Sequence, residues 1–192
     1  MSKFGDTITF INTTLKTEQF GSSRFQKGTF NDSIAELVKS SDDGETMPCV
    51  ISNTGTTTKL VIDDTKTMQV YHRMMGSNYE LVENDFGFRT RRSIANMSLV
   101  FIGDRERLQV TKEDIILGLN NGMPLEMPKT NRVALSIESC NITPQTYITD
   151  YNEVYEREFN IQQKLLKPQT IMIALDYEIT MDIMDGCVLI CE

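Results

Sequence analysis

The chain has 192 residues, a formal net charge of −8 and a pI near 4.8. An acidic balance of that size excludes broad electrostatic binding to nucleic acid, which needs a field that attracts phosphate, and leaves room only for a local basic patch. With 40% hydrophobic and 24% charged residues it reads as globular rather than fibrous or disordered, and no apolar run reaches the roughly 18 residues of a membrane span.

Residues 1–30 are rich in Thr, Ser, Gly and Asn, with Phe4, Phe10, Phe20, Phe25 and Phe30 spaced around a short apolar centre at Ile8–Ile11. Five phenylalanines are not left solvated without a reason. Two readings are open: an extended edge strand packed on the body, or an arm that docks its aromatics on a neighbouring subunit. A short helix is expected next, capped by Asn31 or Asp32, with Ile34, Leu37 and Val38 as its apolar stripe and 40–44 as its end. Met47 to Ile51 reads as a buried strand, 52–56 as a turn and Lys59 to Ile62 as a return strand. Met68 to Tyr71 continues the β character, Gly76-Ser77-Asn78 punctuates it, and a second hairpin is placed around 79–92.

The run Ser98–Ile102, stopped by Gly103-Asp104, has the continuous apolar character of a strand buried on both faces. Thr111 and Asp114 form a capping-box variant ahead of a helix with Ile115, Ile116 and Leu119 on its apolar face. Gly122 is expected just past its end, and Pro124 prevents continuation. Val133, Leu135 and Ile137 alternate as a strand. From Ile171 to Ile183 the odd positions are apolar, a period of two that predicts a long strand with one buried face. Residues 151–166 fit helical spacing through Tyr151, Val154, Tyr155 and Phe159. Their Tyr155–Ile161 alternation and Pro168 favour a hairpin with the long strand. The expected fold is α+β: a mixed or antiparallel sheet flanked by two or three short helices over 31–192, with 1–30 as an extended N-terminal arm or edge segment.

No catalytic constellation is readable. His72 is the one histidine, so nucleophile–base pairs have a single base to draw on. The stretch 52–59 lacks the glycine and lysine spacing of a phosphate loop. The acidic pairs Asp42-Asp43, Asp63-Asp64 and Asp182 with Asp185 lack calcium-loop spacing. Cys49, Cys140, Cys187 and Cys191 form no CxxC pair. The start, Met1 to Asp6, has no apolar stretch behind its lysine, so an intracellular chain with reduced thiols is expected. No cofactor, no metal and no enzymatic activity are expected. Arg89, Arg91 and Arg92 form the one basic cluster. They read either as a solvated strand end or as an exposed patch for phosphate or acidic neighbours. As an interface they are joined by Phe20 and Phe25 as aromatic anchors, because aromatics and Arg carry most interface energy.

Met97–Asp104 with its capped helix and the Leu119–Pro124 stop, and Val154–Phe159 followed by Ile173–Ile179, together resemble small neck and tail proteins of tailed bacteriophages. That group includes tail-terminator, tail-completion and neck ring proteins. The resemblance spans Met97 to Ile183 and leaves the N-terminal third unmatched. It implies a structural virion protein, assembled in the host cytoplasm as copies of itself in a six- or twelve-fold ring, against neighbouring portal, neck or tail proteins. DNA would pass nearby without specific binding, and no membrane is involved. The alternatives are an accessory subunit of a contractile injection system or mobile element, and a small-molecule-binding domain, or an enzyme built from carboxylates and hydroxyls, without a readable motif.

Overall fold

A computed structural model describes residues 3–20, 28–39, 46–51, 57–60, 65–83, 89–128, 130–132, 135–159 and 169–185. The elements in chain order are α1 (Lys3–Glu18), β1 (Thr29–Lys39), β2 (Thr46–Ile51), β3 (Thr57–Lys59), β4 (Met68–Glu83), β5 (Arg89–Asp104), α2 (Arg105–Leu108), α3 (Lys112–Gly122), β6 (Thr130–Arg132), β7 (Leu135–Ile148), α4 (Tyr151–Phe159) and β8 (Thr170–Asp185). The strands form one sheet in the order β3-β2-β1-β4-β5-β8-β7-β6. All neighbours are antiparallel except β1 and β4, which run parallel and make the sheet mixed. The expected α+β class is therefore found.

The first face of the sheet carries the larger core. Leu99 and Phe101 of β5 and Ile171, Ile173, Leu175 and Tyr177 of β8 meet α1 and α3 there. The second face carries a smaller core, in which Val100, Ile102, Met172 and Ala174 lie under Val154, Tyr155 and Phe159 of α4. Two-sided burial explains the continuous apolar run of β5, as expected of such a strand. It also corrects the expectation for β8. One buried face describes Tyr177 to Ile183, but Ile171 to Leu175 are buried on both faces because α4 covers Met172 and Ala174.

Three segments depart from the sequence expectation. The first is the N-terminal segment, expected to be extended, which is helical over Lys3–Glu18. Phe4, Ile8, Ile11 and Leu15 recur at helical spacing and are all buried in the core. Its threonines made it look like β or loop. Here Thr9, Thr13, Thr14 and Thr17 donate to the carbonyls four residues back, at 2.8–3.1 Å, satisfying their hydroxyls within the helix. Propensity is weak in this helix, and burial of one face holds it.

The second is 29–39, a strand where a helix is expected. Ser33 N–H donates to Asn31 Oδ1 at 2.9 Å, the local bond of an N-cap, but here it shapes a bulge between Phe30 and Ile34 in the pairing with β4. The third is 151–159, a helix where a hairpin is favoured. Asp150 Oδ1 accepts from the N–H groups of Asn152 (2.8 Å) and Glu153 (3.0 Å), and this cap starts α4.

Helix α3 follows expectation. Thr111 Oγ1 accepts from Asp114 N–H (3.1 Å) while Asp114 Oδ2 accepts from Thr111 N–H (2.9 Å), a complete capping box. Gly122 is the last helical residue rather than the one beyond it, and Met123 caps the end. Its role is close approach. A Cβ there would lie 2.5 Å from Gln19 Cγ and 3.0 Å from Leu15 Cδ2, so glycine lets α3 seat against the end of α1.

Candidate functional site

Three clusters concentrate the chemistry of the described residues, and two of them are closed. On the second face, Glu158 of α4 is fully buried and accepts from four donor groups. Arg73 reaches it through Nε (2.9 Å to Oε2) and Nη2 (2.9 Å to Oε1), Tyr71 through its hydroxyl (3.2 Å), and Arg157 through Nε (3.1 Å). Arg157 continues to Asp176 with Nη1 (2.9 and 3.0 Å) and to the Ser98 hydroxyl with Nη2. Two guanidiniums thus meet two carboxylates, which is the condition for burying such charges. Burial, then the neighbouring Glu158 carboxylate, holds the Tyr71 phenol well above its ordinary range. The network clamps α4 onto β4, β5 and β8.

On the first face, His72 is fully buried between Tyr177 and Asn12. The Asn12 amide donates to Asn31 O (3.0 Å) and Asp32 Oδ1 (2.8 Å), so its Oδ1 faces His72 Nε2 at 2.9 Å. That bond requires the proton on Nε2, and Nδ1 then accepts from the Tyr177 hydroxyl at 2.7 Å. Burial lowers the imidazole pKa to about 3, so the ring is neutral. The lone histidine ties α1 and the β1 bulge to the sheet, and a substrate could reach it only if α1 lifted away.

The third cluster is open. β1 leaves β4 after the pair Ala35–Arg73, and from Met74 to Glu83 the outer edge of β4 has, among the described residues, no partner strand. Tyr79 (64% exposed) and Leu81 (70% exposed) project from it on the same face, two residues apart. They are the most exposed large hydrophobic side chains among the described residues. The row inward from Tyr79 is Ser93, Met181 and Cys140, all buried. An interior row therefore ends bare at the edge.

The arginines named from sequence lie beside this edge but do not share a face. Arg92 stands opposite Glu80 and Asp182, in a row that ends at Ser139. It donates to Asp182 through Nε (2.8 Å) and Nη2 (3.2 Å), approaches Glu80 at 3.6 Å, and Ser139 Oγ donates to Asp182 at 3.0 Å. The Arg92 hydrogen bonds pull the Asp182 carboxyl below its ordinary pKa. Arg92 is thus a rung of a cross-strand ladder. Arg91 is exposed on the opposite face, in register with Leu81, and the backbone of Arg89 pairs with Glu83. Phe20 is buried against Phe30 and Phe101, with ring centroids 6.2 and 6.0 Å apart, so it anchors its own chain's core rather than a neighbour. Phe25 lies outside the described residues.

Cys49 and Cys140 are buried free thiols whose pKa values burial raises. Among the described residues no three His, Cys, Asp or Glu side chains come together as a metal site, and no helix is long and apolar enough to cross a membrane. A hollow of about 90 Å³ beside the β1 bulge, lined by Asn31, Leu60, Gln69 and Tyr71 among others, is small beside the roughly 300–1,000 Å³ of ligand pockets. No protein-family model and no curated protein matches the chain.

Proposed function

We infer that the chain is a non-catalytic structural subunit of a tailed-bacteriophage virion, one of the proteins that assemble as a ring in the portal–neck–tail region. The observation that carries the assembly half of this reading is the bare β4 edge with Tyr79 and Leu81 on it. A long unpaired strand with apolar side chains is a liability in a solitary protein and a resource in an assembling one. The phage half rests on the pattern of 97–183. The acidic balance supports it, since a lumen that passes DNA without gripping it carries no attractive field. A ring is closed by heterologous head-to-tail contacts, and neighbouring portal, neck or tail proteins stack on its two sides.

Native mass spectrometry and imaging of the purified protein test this. A closed oligomer of fixed copy number is expected, or a monomer that assembles only when a neck or tail partner is added. A stable monomer carrying a bound small molecule would contradict it.

A further inference from the structure

We propose that the outer edge of β4, from Gly76 to Val82, docks the same edge of a second copy of this chain, antiparallel and with Tyr79 on the two-fold axis. The contact is isologous, so it is additional to the head-to-tail contacts that close a ring and does not rest on them.

Among the described residues, the other edges of the sheet are short or covered. β3 and β6 are three residues each. The outer side of β7 is taken by 125–127, where Met127 N–H donates to Cys140 O (3.0 Å) and Ile142 N–H to Leu125 O (2.8 Å). Beyond that, Pro144 and a bulge interrupt β7. Short strands, prolines, bulges and covering segments are the usual ways to blunt an edge. Among the described residues, β4 beyond its own bulge at Met74/Gly76 has none of these except the charge of Glu80, which Arg92 faces at 3.6 Å.

The backbone there is poised to pair. Tyr79 N–H is held by the side chain of its own neighbour, donating to Asn78 Oδ1 at 2.8 Å. An amide engaged in this way is not in the ladder to β5, so the backbone groups of 77, 79 and 81 face outward. The side-chain bond is a local substitute that an incoming strand displaces.

The sequence of the edge is complementary to itself. Tyr79 is the midpoint of 76–82, so the register that pairs this stretch in full places Gly76 opposite Val82, Ser77 opposite Leu81, Asn78 opposite Glu80 and Tyr79 opposite Tyr79. No like charges stand directly opposite; the two Glu80 carboxylates are diagonal neighbours, each faced by its own copy's Arg92 at 3.6 Å, and the outward-facing pairs exchange about six backbone hydrogen bonds. A two-fold axis normal to the sheet keeps Tyr79 and Leu81 of both copies on one face. Leu81 of one copy then lies diagonal to Tyr79 of the other, about 7–8 Å away, within reach of long side chains. The side chains left bare in one copy cover each other in two, and this fits a second copy better than an unrelated strand.

The test is disulfide trapping in the full chain with Cys187→Ser and Cys191→Ser as background, together with molar mass by light scattering. On oxidation, Tyr79→Cys is expected to give a covalent dimer, because only a residue on the axis opposes itself. Ser77→Cys alone is expected to give none, whereas Ser77→Cys with Leu81→Cys crosslinks. Leu81→Lys is expected to weaken self-association at least tenfold, with an unchanged melting temperature at concentrations where the wild type is dissociated. Absence of the Tyr79→Cys crosslink in a protein that is monomeric at every concentration overturns the pairing. So does an edge that binds an extended peptide of another protein but never its own copy. Self-association that proceeds without any Tyr79→Cys crosslink also overturns it and leaves the ring reading standing. A wild-type chain that stops at the dimer keeps the pairing and removes the ring.

Discussion

At its inner end, residues 68–73, 98–104 and 170–176, the β4–β5–β8 sheet is covered on both faces and closed along its side by β1. At its outer end, beyond Gly76, β1 has left the edge, and on the second face Asn96 and the row from Glu80 to Ser139 meet solvent. The same strands thus serve two ends. Inside, the polar side chains of Tyr71, His72, Arg73, Glu158 and Tyr177 are satisfied by one another and fix the helices on the sheet. Outside, the hydrogen-bonding row Glu80–Arg92–Asp182–Ser139 holds strands in register, and the last strand has no neighbour among the described residues. The difference separates what stabilises the fold from what is left available for contact.

Substitutions should therefore split by region. The largest effect is expected for Glu158→Ala, which strands the Arg73 guanidinium (9% exposed) without its carboxylate and should cost about 3–5 kcal/mol in denaturant unfolding. A loss below about 1 kcal/mol would show the clamp to be marginal and blur the contrast.

Next comes pH. His72 has a folded pKa of about 3 against an unfolded value of 6.5, so the unfolded chain binds the extra proton between these values. Its contribution is fully present above pH 6.5 and is lost as pH falls toward 3, at up to about 1.4 kcal/mol per pH unit. With one histidine in the chain, the part of the loss between pH 6.5 and 4.5 belongs to His72, and His72→Gln should flatten it. Thr111→Ala removes half of the α3 capping box and should cost about 1 kcal/mol. Smallest of all, Leu81→Lys at the exposed edge should change stability by less than about 0.5 kcal/mol. A large loss there would mean that the edge belongs to the fold and not to a partner.

Local patterns were readable where one rule acted alone. The period of two in β8 and the Thr111–Asp114 box announce their elements, because alternation and capping are properties of neighbouring residues. α1 was hidden because its threonines mask the helical spacing of Phe4, Ile8, Ile11 and Leu15, which only burial enforces. β1 misled because the Asn31–Ser33 bond of a bulge is the bond of a helix cap. α4 was missed because Pro168 and the surrounding strands favoured a hairpin, and its cap, Asp150, lies just outside the stretch whose spacing was read. The open edge was not legible at all. Whether β4 has a neighbour depends on where β1 departs, and whether Arg92 is available depends on Asp182, ninety residues away.

Hydrogen exchange at the Tyr79 amide, followed as protein concentration is raised, tests most directly the claim that the outer edge is a working interface. Protection of Tyr79 and Leu81 should rise with concentration, while the amides of Leu99–Phe101, already paired between β4 and β8, should stay unchanged. Exchange at Tyr79 that is the same at every concentration, in isolated chain and in assembled particle alike, would contradict the account.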